Sequence, residues 1–359
     1  MSKKSAPDRA PAPSVADVAR EAGVAPSTVS RALTKPGRIA EPTRLKVEAA
    51  ARKLGYMVNQ AARNLRIGQT RTIMVVLPDE LYIGASQTVL EVLRSAAEAM
   101  TARGYSLVIA NVSRAAQTDE HILSLAFGGT VSGVLLMATP IPSTADRNLM
   151  QAGLPVVSLH FDMSGQSIPS VISNDSQAIG EAVEALVELG HARFLYIRGR
   201  TDNYHDIERL RGVREALARS GISPASLQTM PGDFNFEGGI AAGQLYLALA
   251  PDERPTAVVC ANDDTAIGFI KTVIDGGLDV PGDVSVVGFD GASVGAFMTP
   301  SLSTVQQSTA EMGRQAVDLV IGMATGELLA PPDRIEVRCQ LVLRQSVRAL
   351  APELRSQIS

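Results

Sequence analysis

The chain is poor in cysteine and has no long apolar run, and both shortages limit what it can be. Its two cysteines, Cys260 and Cys339, lie far apart, and neither has a cluster of metal-ligating residues near it in the sequence. A disulfide framework and a zinc site are therefore disfavoured, and we expect two buried thiols. No apolar run approaches the roughly 20 residues that span a bilayer. Residues 1–13 carry charge but lack the apolar segment of a signal peptide, which predicts a disordered tail and a cytoplasmic protein with no membrane partner.

Motifs of common nucleotide-binding and hydrolytic enzymes are also lacking. No G-x-G-x-x-G follows a strand pattern, and no G-x-x-x-x-G-K-[ST] occurs. Residues 291–295 (GASVG) do spell G-x-S-x-G directly after a strand pattern, so an α/β-hydrolase with Ser293 as nucleophile is one alternative. Its triad needs a histidine after the serine, whereas all four histidines precede it: His121, His160, His191 and His205. The histidines also lack metal-ligand spacing. The sequence thus predicts a protein that is not an enzyme and holds no cofactor or metal.

Charge divides the chain into two unequal parts. Residues 1–70 contain 13 Lys and Arg against 5 Asp and Glu, a net charge of +8, whereas the remaining residues contain 20 against 32, a net charge of −12. A basic head on an acidic body is typical of a protein in which one part meets nucleic acid. With 45% hydrophobic residues, the chain is long enough for two or three packed globular units.

The basic head has the pattern of three short helices. Ser14 is a candidate N-cap with Asp17 at the capping-box spacing, and an apolar stripe follows. Gly23 ends this first helix, because glycine adopts a positive φ at little cost. Pro26 suits the first turn of a second helix. A third helix follows the segment 34–43 and ends at Gly55. Three helices with a tight glycine turn between the first two describe a helix-turn-helix domain.

The second helix is the predicted DNA reader. Val29, Ala32 and Leu33 are spaced to face the core, so the small polar side chains and Arg31 point outward. Hydroxyls at a helix start bond phosphate oxygens, and Arg31 is long enough to make two hydrogen bonds to a guanine edge. The alternative is a three-helix cap with a solvated face. The candidate DNA-contacting residues of this domain are Ser14, Pro26, Ser27, Thr28, Ser30 and Arg31.

From Thr72 onward, strand-length apolar runs alternate with helical patterns. The seven clearest runs are TIMVVLP, YSLVIANV, SGVLLMA, LPVVSLH, RFLYIRG, PTAVVCAN and DVSVVGFD. Runs of this kind, buried on both faces, indicate parallel sheets covered by helices. Seven or more such units exceed one compact domain, so we expect two doubly wound lobes with a cleft between them. Ligands of such sheets bind at the carboxyl ends of the strands.

The segments DVAREAGVAPSTVSRAL, TRLKVEAAARKLGY and NQAARNL resemble the N-terminal region of the lactose/galactose-repressor family of bacterial transcription regulators. The later segments ELGHARFLYIRG, PTAVVCANDDTAIGF, GLDVPGDVSVVGFD and LVLRQS are similar to the effector-binding core of the same family, which is like a periplasmic sugar-binding protein. The resemblance covers roughly residues 14–347. It implies an α/β fold class: an all-α helix-turn-helix headpiece with a hinge helix, followed by two doubly wound parallel-sheet lobes.

The resemblance also implies that residues 59–65 form a hinge helix, which folds on operator DNA and pairs with its twin from a second subunit. A segment of this length is too short to be a stable helix alone. Leu65 would be the apolar wedge in the minor groove, and Ala62, one turn earlier, would allow close approach. The candidate DNA contacts of this segment are Asn59, Ala62 and Leu65.

An effector site follows from the resemblance and from position. Arg209 matches the family's cleft arginine, which can give two hydrogen bonds to hydroxyl or carboxylate oxygens, and Phe234 matches an aromatic residue that stacks on ligand rings. Asn262 and Asp290 each come at the carboxyl end of a strand pattern. In the stretch 173–175 (SND) the family often has Asp-Asn, so which residue faces the cleft is open, and Asn174 is the candidate. For each residue singly, helix capping or core packing is the alternative.

The predicted organisation is a tail at 1–13, a helix-turn-helix domain at 14–58, a hinge helix and linker at 59–70, a two-lobed core at 71–347 and a tail at 348–359. Crossings between the lobes are expected near 172, 300 and 333, which gives a first lobe of 71–172 and 302–333 and a second of 173–301 and 334–347. The predicted function is that of a repressor controlled by a small-molecule effector, either a sugar, a sugar derivative or a nucleoside. It would bind operator DNA as a homodimer, with a tetramer left open. A ligand-binding protein without a DNA function is the alternative.

Overall fold

The computed structural model describes residues 13–34, 36–56, 70–78, 87–112 and 117–350. The chain divides into two compact units, residues 1–70 and 71–359. Of the predicted tail at 1–13, residues 1–12 lie outside the described residues, and so does the hinge segment with Asn59, Ala62 and Leu65.

The first unit contains the three expected helices: α1 (Val15–Ala22), α2 (Pro26–Thr34) and α3 (Glu41–Leu54), with a short 3-10 turn at Pro36–Arg38. Their inward faces form one small core of Val18, Ala19, Val29, Ala32, Val47, Ala50 and Ala51. α3 begins before the end of the expected loop, because Pro42 fits the first turn of a helix as well as it fits a loop.

Local chemistry sets both ends of α1. The Ser14 hydroxyl accepts a hydrogen bond from the backbone N–H of Asp17 at 3.3 Å, and the Asp17 carboxylate accepts one from the backbone N–H of Ser14 at 2.9 Å. The Ser14 hydroxyl also donates to the Asp17 carboxylate at 2.7 Å, and this bond, followed by the one from the Ser14 backbone N–H, lowers the pKa of Asp17. Gly23 has φ 65°, the left-handed conformation that closes the helix. The capping box and the glycine turn are therefore confirmed.

The second unit consists of two lobes, each with a six-stranded sheet between two layers of helices. Lobe 1 has the sheet order β11-β5-β4-β3-β1-β2 and is parallel throughout. Its strands are β1 (Thr72–Leu77), β2 (Ser106–Asn111), β3 (Gly133–Met137), β4 (Val156–Leu159), β5 (Ser170–Ser173) and β11 (Arg334–Val337). Helices α4 (Gln87–Ala102) and α10 (Thr309–Thr325) cover one face, and α5 (Gln117–Phe127) covers the other.

Lobe 2 has the sheet order β12-β10-β9-β8-β6-β7, in which only β12 runs antiparallel to its neighbour. Its strands are β6 (Phe194–Arg198), β7 (Leu227–Pro231), β8 (Ala257–Cys260), β9 (Ser285–Asp290), β10 (Ser303–Gln306) and β12 (Gln340–Val342). Helices α6 (Asp175–Glu188) and α7 (Tyr204–Arg219) pack on one face. Helices α8 (Phe236–Ala248) and α9 (Asp263–Asp275) pack on the other.

The expected lobe boundaries need two corrections. Strand β10 pairs with β9 and so belongs to lobe 2, whereas β11 pairs with β5 and so belongs to lobe 1. The crossings therefore lie between β5 and α6, between β10 and α10, and between β11 and β12. Residues 348–350 are not a tail, because the backbone N–H of Leu350 donates to Leu189 and its side chain is buried. The crossing expected near 172 is confirmed, whereas those expected near 300 and 333 differ from the structure because strand pairing decides lobe membership, and pairing is not visible in local sequence.

Strand identification was also incomplete. The seven expected strands are present, but the sequence does not predict β5, β7, β10, β11 and β12, since each is short and interrupted by polar residues rather than a continuous apolar run. β2 was expected to be buried on both faces, yet it is the edge of its sheet and is half exposed. Both cysteines are buried free thiols. Among the described helices, none has the length and apolarity needed to cross a membrane.

The cap of α1 gives a test of headpiece stability. Ser14→Ala removes the oxygen that accepts from Asp17, so we expect the opening free energy of α1 to fall by about 1 kcal/mol. Hydrogen exchange of the α1 amides in the full chain measures this change. Ser223→Ala removes a comparable serine cap from the 3-10 turn Pro224–Ser226 in lobe 2, so it should leave exchange in α1 unchanged. Unaltered α1 exchange in Ser14→Ala would contradict the role of the cap.

Candidate functional site

The proposed reading face of α2 is exposed at its N-terminal end. Pro26, Ser27 and Arg31 are exposed, and Thr28 and Ser30 are half-buried. The Arg31 guanidinium folds back along its own helix, where Nε donates to the Ser27 carbonyl at 3.2 Å and Nη2 donates to Ser27 Oγ at 3.4 Å. These bonds are exposed and easily exchanged for others. Arg31 can therefore extend from the helix toward a partner at little cost.

Four of the five predicted effector residues meet at one edge of the lobe 2 sheet. Arg209 on α7 is the centre: its Nη2 lies 3.8 Å from Asp290 Oδ1, and its guanidinium carbon lies 6.0 Å from the centre of the Phe234 ring. Its Nη1 donates to the carbonyl of Ala261 at 2.5 Å, next to Asn262. The guanidinium also stacks on Phe289 at 3.6 Å. Arg209 is 3% exposed, so this charge is fixed inside the protein.

A carboxylate that sequence reasoning did not choose neutralises Arg209. Asp175, the first residue of α6, accepts from Arg209 Nε at 3.0 Å, and the ring Nδ1 of His205 lies 2.8 Å from the same oxygen. Burial opposes ionisation of Asp175, but the charges of Arg209 and His205 outweigh it and hold the pKa well below its usual range. His205 and Arg209 are four residues apart on α7, so they lie on the same face of the helix. This spacing is the signal in the sequence that could have identified His205 as a neighbour of Arg209.

Asn174 has a different task from the one predicted. Its side-chain oxygen accepts from the backbone N–H of Cys339 at 2.7 Å, which ties the crossing before α6 to the crossing after β11. Asp175 is therefore the residue of the stretch 173–175 that contacts Arg209. The sequence left this choice open because a shift of one residue at a strand end turns a different side chain toward the cleft.

Asn262 and Phe234 support each other at the start of two helices. Asn262 caps α9, since its side-chain oxygen accepts from Thr265 N at 3.1 Å and from Thr265 Oγ1 at 2.6 Å. Its amide nitrogen donates to the carbonyl of Phe234 at 3.0 Å. Phe234 is half-buried and has φ 58°, an uncommon conformation for a residue with a side chain. This strained backbone places the ring beside Arg209.

Asp290 ends β9 with φ 120°, a second strained position at the same edge. Its carboxylate accepts from the side-chain nitrogen of Gln307 at 2.7 Å. Burial raises the pKa of Asp290, and the nearby Arg209 only partly offsets this. Gln307 was not predicted, and its side-chain oxygen is buried without a hydrogen-bond partner among the described residues.

Lobe 1 contributes a polar residue, His160, that faces this edge. His160 follows β4 with φ 68°, and its ring centre lies 5.8 Å from that of His205 on lobe 2. Phe161 and Tyr204 make a second edge-to-face contact between the lobes, at 5.3 Å. Within the described residues, His160 Nε2 and Thr139 Oγ1 are buried atoms without a hydrogen-bond partner. Burial, and then His205, lower the pKa of His160 to about 3, so its ring is neutral. No local pattern in the sequence indicated these residues.

The geometry does not support hydrolase chemistry at Ser293. The hydroxyl of Ser293 is hydrogen-bonded to the side chain of Gln87, with which it forms contacts of 2.8 and 3.3 Å. No group of three or more His, Cys, Asp or Glu side chains able to hold a metal occurs in the part of the chain that the structure describes. The arrangement of Arg209, Asp175 and Asp290 suits recognition of a polar ligand.

Both the N-terminal helices and the two-lobed core match known protein families. Residues 14–59 match the bacterial regulatory proteins of the lacI family, and residues 183–347 match the periplasmic binding protein-like domain. The HTH-type transcriptional repressor CytR of Escherichia coli (strain K12) is 33% identical over 334 residues, which cover 93% of this chain and 96% of CytR. The ribose operon repressor of the same strain is 34% identical over 311 residues, which cover 86% of this chain and 92% of that repressor.

Solved structures show the same architecture. The lac repressor dimer bound to operator and the anti-inducer ONPF superposes with a TM-score of 0.76 at 26% identity, over 93% of this chain and 98% of that one. The transcriptional regulator CelR in complex with cellobiose gives a TM-score of 0.69 at 29% identity, over 93% and 100%. The predicted fold class is thereby confirmed, and so is a non-enzymatic function as a DNA-binding transcriptional regulator with an effector-binding core. The chain belongs to the lacI family of bacterial regulatory proteins.

Proposed function

We propose that the chain is a repressor that binds a palindromic operator as a homodimer and is controlled by a small molecule held between the two lobes. The observation that carries the effector site is the buried Arg209, which sits between the carboxylates of Asp175 and Asp290 at the carboxyl edge of the lobe 2 sheet. Convergent polar groups in a buried position, with shifted pKa values, are typical of a ligand site.

The DNA-reading half of the proposal rests on α2. Its exposed N-terminal end would enter the major groove, where Pro26, Ser27, Thr28 and Ser30 allow close approach and Arg31 reaches a base edge. Ser14 holds the start of α1, whose first backbone N–H groups favour a phosphate. The hinge segment would contribute Asn59, Ala62 and Leu65 in the minor groove. Two reading helices would lie in successive major grooves, about 34 Å apart.

The effector class we propose is a sugar, a sugar derivative or a nucleoside. Arg209, Asp290 and Asn262 offer donors and acceptors for hydroxyl groups, and Phe234 offers an aromatic face for a ring. CelR binds cellobiose, and one relative is the ribose operon repressor, which supports a ligand rich in hydroxyl groups. On lobe 1, the buried unpartnered atoms of His160 and Thr139 would complete the hydrogen bonds of the ligand.

Control requires only that the effector prefers one arrangement of the lobes. Polar groups from both lobes face the same cleft, so a ligand that bonds to both stabilises the closed arrangement. A coupling of about 1–3 kcal/mol is enough to shift the population that binds DNA. Induction and co-repression would both act through this cleft and the same DNA-binding helices. The thermal-shift screen described below, with and without operator DNA, determines whether the effector weakens or strengthens DNA binding.

The homodimer is supported by exposed apolar side chains on lobe 2. On α8, Phe236, Ile240 and Leu245 are between 39% and 51% exposed, and on the turn after β9 Phe297 is 87% exposed. Phe236 and Ile240 lie one turn apart on the same side of α8, and a second copy of the chain would cover them. The lac repressor neighbour is a dimer on its operator. We place this regulator in the cytoplasm, where bacterial operator DNA lies, and leave a tetramer open.

Arg31 tests the reading helix. An operator fragment is first selected from random DNA by the wild-type protein. Arg31→Ala should then bind it about tenfold or more weakly, because a bidentate contact to a base is lost. Arg31→Lys should keep non-specific binding but lose most of the preference for the selected sequence. Arg52→Ala, which removes an exposed charge from α3, should weaken selected and random DNA equally. Equal affinity of Arg31→Ala and wild type would refute the assignment.

Arg209 tests the effector site. A thermal-shift screen of the wild type over sugars, sugar acids and nucleosides, with and without operator DNA, identifies the effector and the sign of control. Arg209→Ala should lose the shift in melting temperature given by that effector, and the milder Asp290→Asn should reduce it. Arg198→Ala is the matched control, because Arg198 also pairs with a buried carboxylate, Asp206, at 2.6 Å. An unchanged response in Arg209→Ala would rule out the site.

His160 predicts a pH dependence of stability. Its pKa of about 3 in the folded core lies below the ordinary value of 6.5, so the unfolded chain binds a proton that the folded core excludes. Stability from this group is present above pH 6.5 and should fall by about 1.4 kcal/mol per pH unit below it. Urea unfolding at pH 7, 6 and 5 should show a smaller loss in His160→Gln than in the wild type. His121→Gln, on the exposed side of α5, should behave as the wild type.

A further inference from the structure

A glutamine at the start of α4 joins lobe 1 to lobe 2. The side-chain oxygen of Gln87 accepts from the backbone N–H of Ser293 at 2.9 Å, and its nitrogen donates to Ser293 Oγ at 2.8 Å. The oxygen and the nitrogen of the Gln87 side-chain amide thus both bond to Ser293 of the other lobe. An amide paired in this way fixes orientation as well as distance.

The segment that Gln87 contacts is continuous with the effector site. Ser293 lies three residues after Asp290, and the residues between them are held in place. Gly291 has φ 81° and donates its N–H to Thr304 Oγ1 at 3.2 Å, and Ala292 donates its N–H to the carboxylate of Asp263 at 2.6 Å. These bonds fix the geometry of the short segment that joins Asp290 to Ser293.

A second path joins the same helix to the same carboxylate. One turn after Gln87, Glu91 accepts from the Gln87 amide at 3.1 Å and from Thr309 Oγ1 at 3.0 Å. Thr309 begins α10, directly after a crossing between the lobes. Two residues earlier, Gln307 donates its side-chain nitrogen to Asp290 Oδ1 at 2.7 Å. The hydrogen bonds and the chain together form a closed circuit from Asp290 through Ser293, Gln87, Glu91 and Thr309 back to Asp290.

We propose that Gln87 is a positioning residue for effector control, which holds lobe 1 against the segment 290–293 and so couples Asp290 to the arrangement of the lobes. Gln87 is not one of the proposed ligand-contacting residues. Effector contact with Asp290 changes the position of Ser293, and Gln87 converts that change into a preference for one lobe arrangement. This inference rests on the proposed effector site.

The test measures lobe separation without any effector. Spin labels are attached to Asp146→Cys in lobe 1 and Glu253→Cys in lobe 2, both exposed positions, and the native cysteines do not react because they are buried. Distances between the labels are measured by pulsed electron resonance in the full chain. In Gln87→Ala the population of separated lobes should rise roughly fivefold for each hydrogen bond lost. Ser293→Ala should give a smaller rise, because the backbone N–H of residue 293 still meets Gln87.

The matched control is Gln177→Ala. Gln177 is an exposed residue of α6 whose amide donates to Glu181 at 3.0 Å, the same helical bond that Gln87 makes to Glu91, but it joins no second lobe. Its distance distribution should equal that of the wild type. If Gln87→Ala also equals the wild type, or if Gln177→Ala shows the same rise, the proposal is overturned.

Ligand coupling provides a second readout. With the compound found in the thermal-shift screen, Gln87→Ala should keep binding but lose much of the ligand-dependent change in operator affinity, whereas Gln177→Ala should keep it. Full coupling in Gln87→Ala contradicts the proposal. A wild type that responds to none of the sugars, sugar acids or nucleosides would instead count against the proposed effector site. The two failures are therefore separable.

Discussion

The effector core depends on one buried ion pair, between Arg209 and Asp175. Neither charge is tolerable alone at this depth, since breaking a buried pair leaves an uncompensated charge and typically costs several kcal/mol. The pair in turn holds His205 and faces Asp290, so a helix, the start of a second helix and the end of a strand are fixed by one guanidinium. Arginine suits this place because its planar group donates in several directions while stacking on Phe289.

Strain is concentrated at the same edge. Phe234 and Asp290 in lobe 2, and His160 in lobe 1, all have positive φ although none is glycine. Such conformations cost of order 1–3 kcal/mol each and persist only where the surroundings enforce them. Each lies at the carboxyl end of a strand or just beyond it, facing the cleft. These three strained backbone positions therefore lie where a ligand would bind.

The sequence predicted well whatever is decided over a few neighbouring residues. Ser14, Gly23 and Pro26 act within one helical turn, so the headpiece followed from local chemistry, and long apolar strands such as β1 and β9 stood out. Short strands with polar residues did not, because β11 and β12 owe their place to pairing with distant partners. Asp175 and His160 were missed for the same reason. Their roles arise from Arg209 and from the opposite lobe, which no spacing along the chain reveals.

The number of chain connections between the structural units also limits how the operator and the effector of such proteins can change in evolution. The headpiece and the core meet at one place in the sequence, so a single exchange of coding segments can give this core a new reading helix. The two lobes are joined by three crossings that are bonded to each other, through Asn174 with Cys339 and through Ser308 with Arg338. No single exchange can replace one lobe. Recombination at the single junction can therefore pair a headpiece with a different whole core, whereas within one core a change of effector has to be reached by point substitution in the existing cleft.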